Sequence, residues 1–216
     1  RWDDEGFLFD PGEGTQRQLT IAGLAASQIT KIFITHFHGD HCLGLPGVLQ
    51  RLSLDRVEHE VEVYYPASGR RFYENLKNSS IYHDAARILE RPISEAGVVF
   101  QNENFSIETR RLDHTAESWG CRISEPDGVS MLPEKLNALG VRGADVGKLK
   151  REGALDVGGR LVRLAEASAP KKGQSVAFVM DTRVCRAAVE LAREADFVIC
   201  ESTFLASETE EAVAYG

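Results

Sequence analysis

Three observations predict a layered α/β fold for this sequence. Short apolar runs rich in β-branched and aromatic residues recur along it, among them "KIFIT" (31–35), "VEVYYP" (61–66) and "FVICEST" (197–203), and this content suits buried strands. Helical stretches lie between them: "LPGVLQRLSL" (45–54) carries Pro46 in its first turn, and "SGRRFYENLKN" (68–78) is expected to start from Ser68 as its cap. Strand and helix patterns are interspersed rather than segregated, which favours layers of helices on sheets.

The remaining elements follow in order. "GFLFD" (6–10) reads as a strand end, and "EGTQRQLTIAGLA" (13–25) has helical spacing with Leu19, Gly23 and Leu24 toward one side. "VVFQNENFSIETRRLDHT" (98–115) reads as a hairpin whose second strand alternates Phe105, Ile107 and Thr109, and "SWGCRISEP" (118–126) continues as a strand. Residues 126–173 are rich in Gly, Pro, Lys and Arg, with one short helix, "PEKLNALG", and no strong apolar face; they are expected to form an insertion protruding from a single domain spanning 1–216. The core resumes with the strand "SVAFVMD" (175–181), the helix "VCRAAVELAREA" (184–195) and the strand "FVICEST".

Composition narrows the function classes. The 216 residues can bury a substantial core, and 43% hydrophobic with 27% charged content is ordinary for a globular protein. A formal net charge of −8 argues against a uniformly basic nucleic-acid binder, though a local basic strip or a bound metal can still set the field at one site. No apolar run is long enough to span a membrane, and the opening "RWDDEG" lacks the pattern of a signal peptide. Cys42, Cys121, Cys185 and Cys200 form no CxxC pair, and Cys121 and Cys200 lie in apolar runs where a cysteine is expected as a small buried hydrophobe. A reducing, cytoplasmic setting is expected.

The chemistry concentrates in "THFHGDH" (35–41). In an extended loop, positions two apart project to one side, so His36 and His38 can grip one metal. Where the chain turns at Gly39, Asp40 and His41 can swing to a second position. Imidazole with carboxylate suits zinc, manganese or iron. His114 in "LDHT" and Asp181 in "FVMDT" are expected to join them, each following a strand; alone, His114 reads as a structural or surface histidine and Asp181 as a helix cap near Arg183. His59 and His83 sit in charged or polar runs and are expected to be solvated. Two divalent cations with two carboxylates leave excess positive charge, suited to hydrolysis and to an anionic substrate.

HxHxDH after a buried strand is the signature of the metallo-β-lactamase superfamily. Together with "FDPGEGTQRQL" (9–19), "THFHGDHCLGLPGVL" (35–49), "MDTR" (180–183) and "ESTF" (201–204), it resembles the ribonuclease Z family, endonucleases that trim the 3′ end of precursor tRNA. The resemblance implies a four-layer αβ/βα sandwich with a flexible tRNA-gripping arm at "GVRGADVGKLKREG" (140–153). It implies that His36, His38 and His114 hold one zinc, that Asp40 and His41 hold the other, that Asp181 bridges both, and that Asp40 accepts the proton of the attacking water. Glu201 would stand beside the active site. A homodimer is implied, with one subunit's arm holding the RNA that the other cleaves, as is a further ligand beyond Gly216, so the chain is expected to be partial. Lys148, Lys150 and Arg151 are the candidate phosphate contacts. Two other readings keep the site: hydrolysis of a small phosphodiester or thioester, or a non-catalytic metal-binding partner subunit.

Overall fold

The computed structural model describes residue 2 and residues 4–215. The chain forms two compact units: Arg1–Phe100 with Ile107–Ile123 and Val176–Gly216, and Gln101–Ser106 with Ser124–Ser175.

The first unit opens with β1 (Phe7–Phe9), α1 (Thr15–Ile21), β2 (Lys31–Phe33), α2 (Gly39–Cys42), α3 (Leu45–Leu54), β3 (Glu60–Pro66), α4 (Arg70–Lys77) and β4 (Arg87–Ile93). Its four strands pair in parallel in the order β1-β2-β3-β4. Strand alternation sorts their side chains onto two faces. Ile32, Ile34, Val61, Val63 and Tyr65 pack with Leu45, Val48, Leu49 and Leu52 of α3 and Tyr73 of α4. The four α3 residues recur at helical spacing and are at most 1% exposed, each contributing about 1.5–3 kcal/mol of apolar burial before entropy is counted. Phe33 and Tyr64 point the other way and stack at 4.4 Å.

The chain then crosses to β5 (Gly97–Gln101), β6 (Ser106–Arg111) and β7 (Trp119–Ser124). These belong to a second sheet of order β13-β12-β7-β6-β5, whose strands β12 (Ser175–Val179) and β13 (Phe197–Cys200) come late in the chain. Phe9 stacks on Phe178 of β12 at 4.3 Å and on Phe33 at 5.3 Å, an aromatic ladder between the sheets. On the far side of β12, Ala177 and Val179 pack with Leu112 and with Leu191 of α8 (Arg186–Ala192). The unit therefore stacks helix, sheet, sheet and helix.

The second unit contains β8 (Gly128–Met131), α5 (Pro133–Ala138), α6 (Ala144–Glu152), β9 (Ala154–Val157), β10 (Arg160–Arg163), α7 (Leu164–Ala167) and β11 (Ser168–Lys171), with antiparallel pairs β8–β11 and β9–β10. The expectation of one helix and no apolar face is overturned here. Leu136, Val141, Leu149, Leu155, Val162 and Ala167 form a core of their own. Each short element contributes only one of these residues, Val141 lying between α5 and α6, so no sequence window shows a period. The unit holds nine Lys and Arg against eight Asp and Glu, while the first holds sixteen against twenty-five.

Three smaller expectations are also corrected, and one strand, β4, had no sequence reading at all. α1 stops at Ile21 because Gly23 turns left-handed (φ 68) and Leu24 N–H returns to the Leu19 carbonyl at 2.9 Å, leaving Leu24 52% exposed. α4 starts without a side-chain cap, Ser68 lying in a preceding turn that ends at Gly69. β4 shows no strand pattern because charged residues interrupt it; Arg87 and Arg91 pair with Glu60 and Glu62 across to β3. Cys200 is exposed with the rest of β13, an edge strand, while Cys42 and Cys121 are buried; all four cysteines are free. Among the described residues, no helix is long and apolar enough to cross a membrane.

Candidate metal centre

His36, His38 and Asp40 follow β2, His114 follows β6 and Asp181 follows β12, so three loops deliver the cluster. His36 Nε2 lies 2.9 Å from His38 Nδ1, and His114 Nε2 lies 3.2 Å from the same atom. Asp181 Oδ2 stands 3.6 Å from His36 Nε2 and 3.7 Å from His114 Nε2. One ligand atom from each of these four residues falls within 4.8 Å of the others.

His41 and Asp40 sit beside this group. α2 turns the chain so that the His41 ring lies 4.3 Å from that of His36, with Nε2 3.1 Å from Asp181 Oδ1 and 3.4 Å from Asp40 Oδ2. Asp181 thus turns one oxygen toward His36 and His114 and the other toward His41. Asp40 is the open member, its side chain 71% exposed. Asp181 is not a helix cap, since α8 starts at Arg186 with Cys185 before it.

A residue absent from the sequence-derived set organises this group. Asp10, at the end of β1, accepts hydrogen bonds from Thr35 N–H at 2.7 Å and from the Thr35 hydroxyl at 2.8 Å, and its Oδ2 lies 2.9 Å from His41 Nδ1. His36 Nδ1 lies 3.0 Å from Thr35 Oγ1, whose hydrogen is committed to Asp10, so Nδ1 carries the proton and Nε2 keeps its lone pair toward the cluster. A signal for Asp10 was present: like Asp181, it is a carboxylate at the end of an apolar strand.

The local electrostatics follow from burial and these partners. Burial drives the His36 pKa down to about 3, assisted by the neighbouring His41 and opposed by Asp181. Burial also works against charge on His41, but the hydrogen bond to Asp10 and the charges of Asp10, Asp181 and Asp40 outweigh it and raise the pKa to about 9.

The donor set fits a divalent cation. Asp181 Oδ1 is buried and accepts no hydrogen bond. Three imidazole nitrogens converge on one point, where a single shared proton cannot satisfy them all. Four donors at zinc distances in a tetrahedron stand about 3.3–3.4 Å apart, and the separations of 2.9, 3.2, 3.6 and 3.7 Å scatter around that value.

A cavity of about 580 Å³ opens beside the cluster, lined by His114, Asp181, Met180, Glu201 and Phe204 among others. Glu201 is exposed there and accepts a hydrogen bond from the Thr203 hydroxyl at 3.0 Å. Lys148, Lys150 and Arg151 lie on α6 of the second unit, all exposed, flanking or following the buried Leu149. His83 is exposed as expected, whereas His59 is half-buried and bonds the Ile29 carbonyl at 2.9 Å, because its charged run ends where β3 begins.

The sequence model of the metallo-beta-lactamase superfamily matches residues 3–123. The chain is 53% identical over 216 residues to the ribonuclease Z of Salinispora arenicola (strain CNS-205), covering 100% of this chain and 70% of that protein. The chain belongs to the ribonuclease Z family. A second ribonuclease Z, from Nocardia farcinica (strain IFM 10152), is 50% identical over 217 residues, with 100% and 71% covered. Among solved structures, human tRNase Z, short form, matches with a TM-score of 0.67 at 25% identity, over 100% of this chain and 74% of that one. The metallo-beta-lactamase fold protein YhfI from Bacillus subtilis matches with a TM-score of 0.60 at 13% identity, over 95% and 62%, a likeness of fold. The four-layer unit is accordingly the metallo-β-lactamase fold of the ribonuclease Z family.

Proposed function

We infer that this chain is a metal-dependent phosphodiester endonuclease that removes the 3′ trailer from precursor tRNA, leaving a 3′-hydroxyl on the tRNA and a 5′-phosphate on the trailer. The observation that carries this reading is the convergence of His36, His38, His114 and Asp181 within 4.8 Å, in a chain about half identical to ribonuclease Z proteins over its whole length.

His36, His38 and His114 would hold one zinc, Asp40 and His41 would hold a second, and Asp181 would contribute to both; manganese or another divalent ion could substitute. When bound, such cations supply Lewis acidity and a nucleophilic water at neutral pH. The protein's own part is to orient and to move protons. Thr35 and Asp10 fix the His36 and His41 rings. Asp40, on the open side of the cluster, accepts the proton of the attacking water. Glu201 and His114 border the cavity that receives the scissile linkage.

Substrate choice rests on RNA shape and phosphate contacts rather than base reading. Lys148, Lys150 and Arg151 supply contacts to the tRNA from the second unit, which acts as the arm, and a homodimer brings one subunit's arm to RNA cleaved by the other. Four free thiols suit a reducing cytoplasm.

Incubation with a 3′-extended precursor tRNA tests the activity. Cleavage at the trailer junction with the stated ends, abolished by a chelator and restored by zinc or manganese, is expected. Faster turnover of a chromogenic phosphodiester than of the precursor would instead favour a small-molecule hydrolase.

A further inference from the structure

The histidine loop carries an aromatic side chain between two of its candidate ligands. Alternation along the extended chain turns Phe37 away from His36 and His38, toward the core under α3 and α4. Its ring packs directly on Gly69, where an added Cβ would meet two ring carbons at 2.1 Å. It stands edge-on to Tyr65 at 6.0 Å and tilted by 35° to Phe72 at 5.8 Å. Phe72 lies in the first turn of α4, just past the end of β3. Because β2 and β3 are parallel, this helix start and the histidine loop share one edge of the sheet.

Phe72 and its neighbour Tyr73 have opposite fates. Tyr73 is fully buried, whereas Phe72 is 46% exposed. The Arg71 guanidinium stands 5.2 Å from the centre of the Phe72 ring, a cation–π contact. Arg70 is committed to Glu74 at 3.1 Å, but Arg71 is exposed and makes no salt bridge among the described residues. Phe37, Phe72 and Arg71 thus form a ladder of two rings and a guanidinium leading outward from the histidine loop. Aromatic rings and guanidinium planes are the surfaces on which proteins stack unpaired bases, and an arginine without a carboxylate partner also attracts phosphate. A paired stem cannot use such a ladder, since its bases already stack on one another.

We propose that Phe72 and Arg71, backed by Phe37, form a stacking site for an unpaired nucleotide flanking the cleaved linkage of the precursor. The proposal rests on the RNA-processing function inferred above. Because Phe37 faces away from the candidate ligands, the stacked base belongs to a nucleotide further along the strand than the reacting phosphate.

The test uses precursor tRNAs carrying 2-aminopurine, a base whose fluorescence falls on stacking, at unpaired positions on one or the other side of the junction. They are titrated with full-length protein freed of metal by a chelator, so that binding is read without cleavage. Quenching is expected on one side, which tells the trailer from the tRNA 3′ end. Phe72→Ala is expected to abolish that quenching and to weaken binding about 5- to 150-fold. Phe72→Trp, which keeps a stacking surface, should stay within about threefold of wild type. In Arg71→Gln the dependence of log affinity on log salt should become shallower by about 0.7, the contribution of one single-strand phosphate. An abasic nucleotide at the responding position should weaken wild type and leave Phe72→Ala unaffected.

Thermal unfolding and zinc uptake check the fold of each variant. Should Phe72→Ala not fold, Phe72→Leu keeps the apolar bulk without the ring and carries the same expectations. No quenching on either side, or a ring-free variant that quenches and binds like wild type, overturns the stacking site. A wild type that neither binds the precursor nor cleaves it when loaded with zinc overturns the function inferred above. Normal wild-type processing with unaltered variants overturns this proposal alone.

Discussion

The strand-tip cluster and the second unit are assembled by opposite rules. The cluster draws His36, His38, His114 and Asp181 from loops far apart in sequence, so it exists only when both sheets of the first unit have closed. The second unit is almost wholly one stretch, Ser124–Ser175, folded on its own small core, and it displays its cations outward. Charge divides the same way: the unit with the cluster carries sixteen Lys and Arg against twenty-five Asp and Glu, while the other is close to balanced. Chemistry at the cluster therefore depends on long-range closure and on groups held by Asp10 and Thr35, whereas the RNA grip proposed for the second unit would depend on local folding and solvated side chains. The two should be separable by mutation.

Asp181→Ala attacks what both substrates need and has the largest expected effect. Turnover of precursor tRNA and of a chromogenic phosphodiester should both fall by more than the roughly 10- to 100-fold cost of an outer partner, with bound metal reduced by elemental analysis. Retained metal and retained small-substrate turnover would break the comparison at its root. Leu149→Ala comes next. It empties the arm's core and should destabilise that unit by about 2–5 kcal/mol, read as faster hydrogen exchange confined to 124–175. Precursor binding should weaken while metal content and small-substrate turnover hold; a parallel loss of metal would show that the two regions are not independent. Replacing Lys148, Lys150 and Arg151 together by alanine leaves the arm folded and has the mildest effect. The dependence of log affinity for tRNA on log salt should become shallower by about 0.7–0.9 for each phosphate that is no longer neutralised. An unchanged slope removes these residues from the RNA interface.

Legibility in the sequence followed the same division. His36, His38 and His41 were readable because they lie within a few positions of one another, and Asp181 because it ends an apolar strand. Asp10 ends an apolar strand too and so carried the same signal as Asp181, but its partners Thr35 and His41 lie 25 and 31 residues away, so only the folded chain shows what it holds. The second unit's core was invisible to periodicity because one core residue per short element makes no pattern. β4 was hidden by Arg87 and Arg91, which pair with Glu60 and Glu62 across to β3 at a sheet edge. Cys200 misled because an apolar run was taken as burial, and an edge strand can be apolar and open.

The most direct test of the metal centre is anomalous diffraction at the zinc edge from crystals of the full-length protein grown with zinc. Two peaks flanking Asp181, one among His36, His38 and His114 and the other beside Asp40 and His41, are predicted. A map with no peak among His36, His38, His114 and Asp181 would contradict the account.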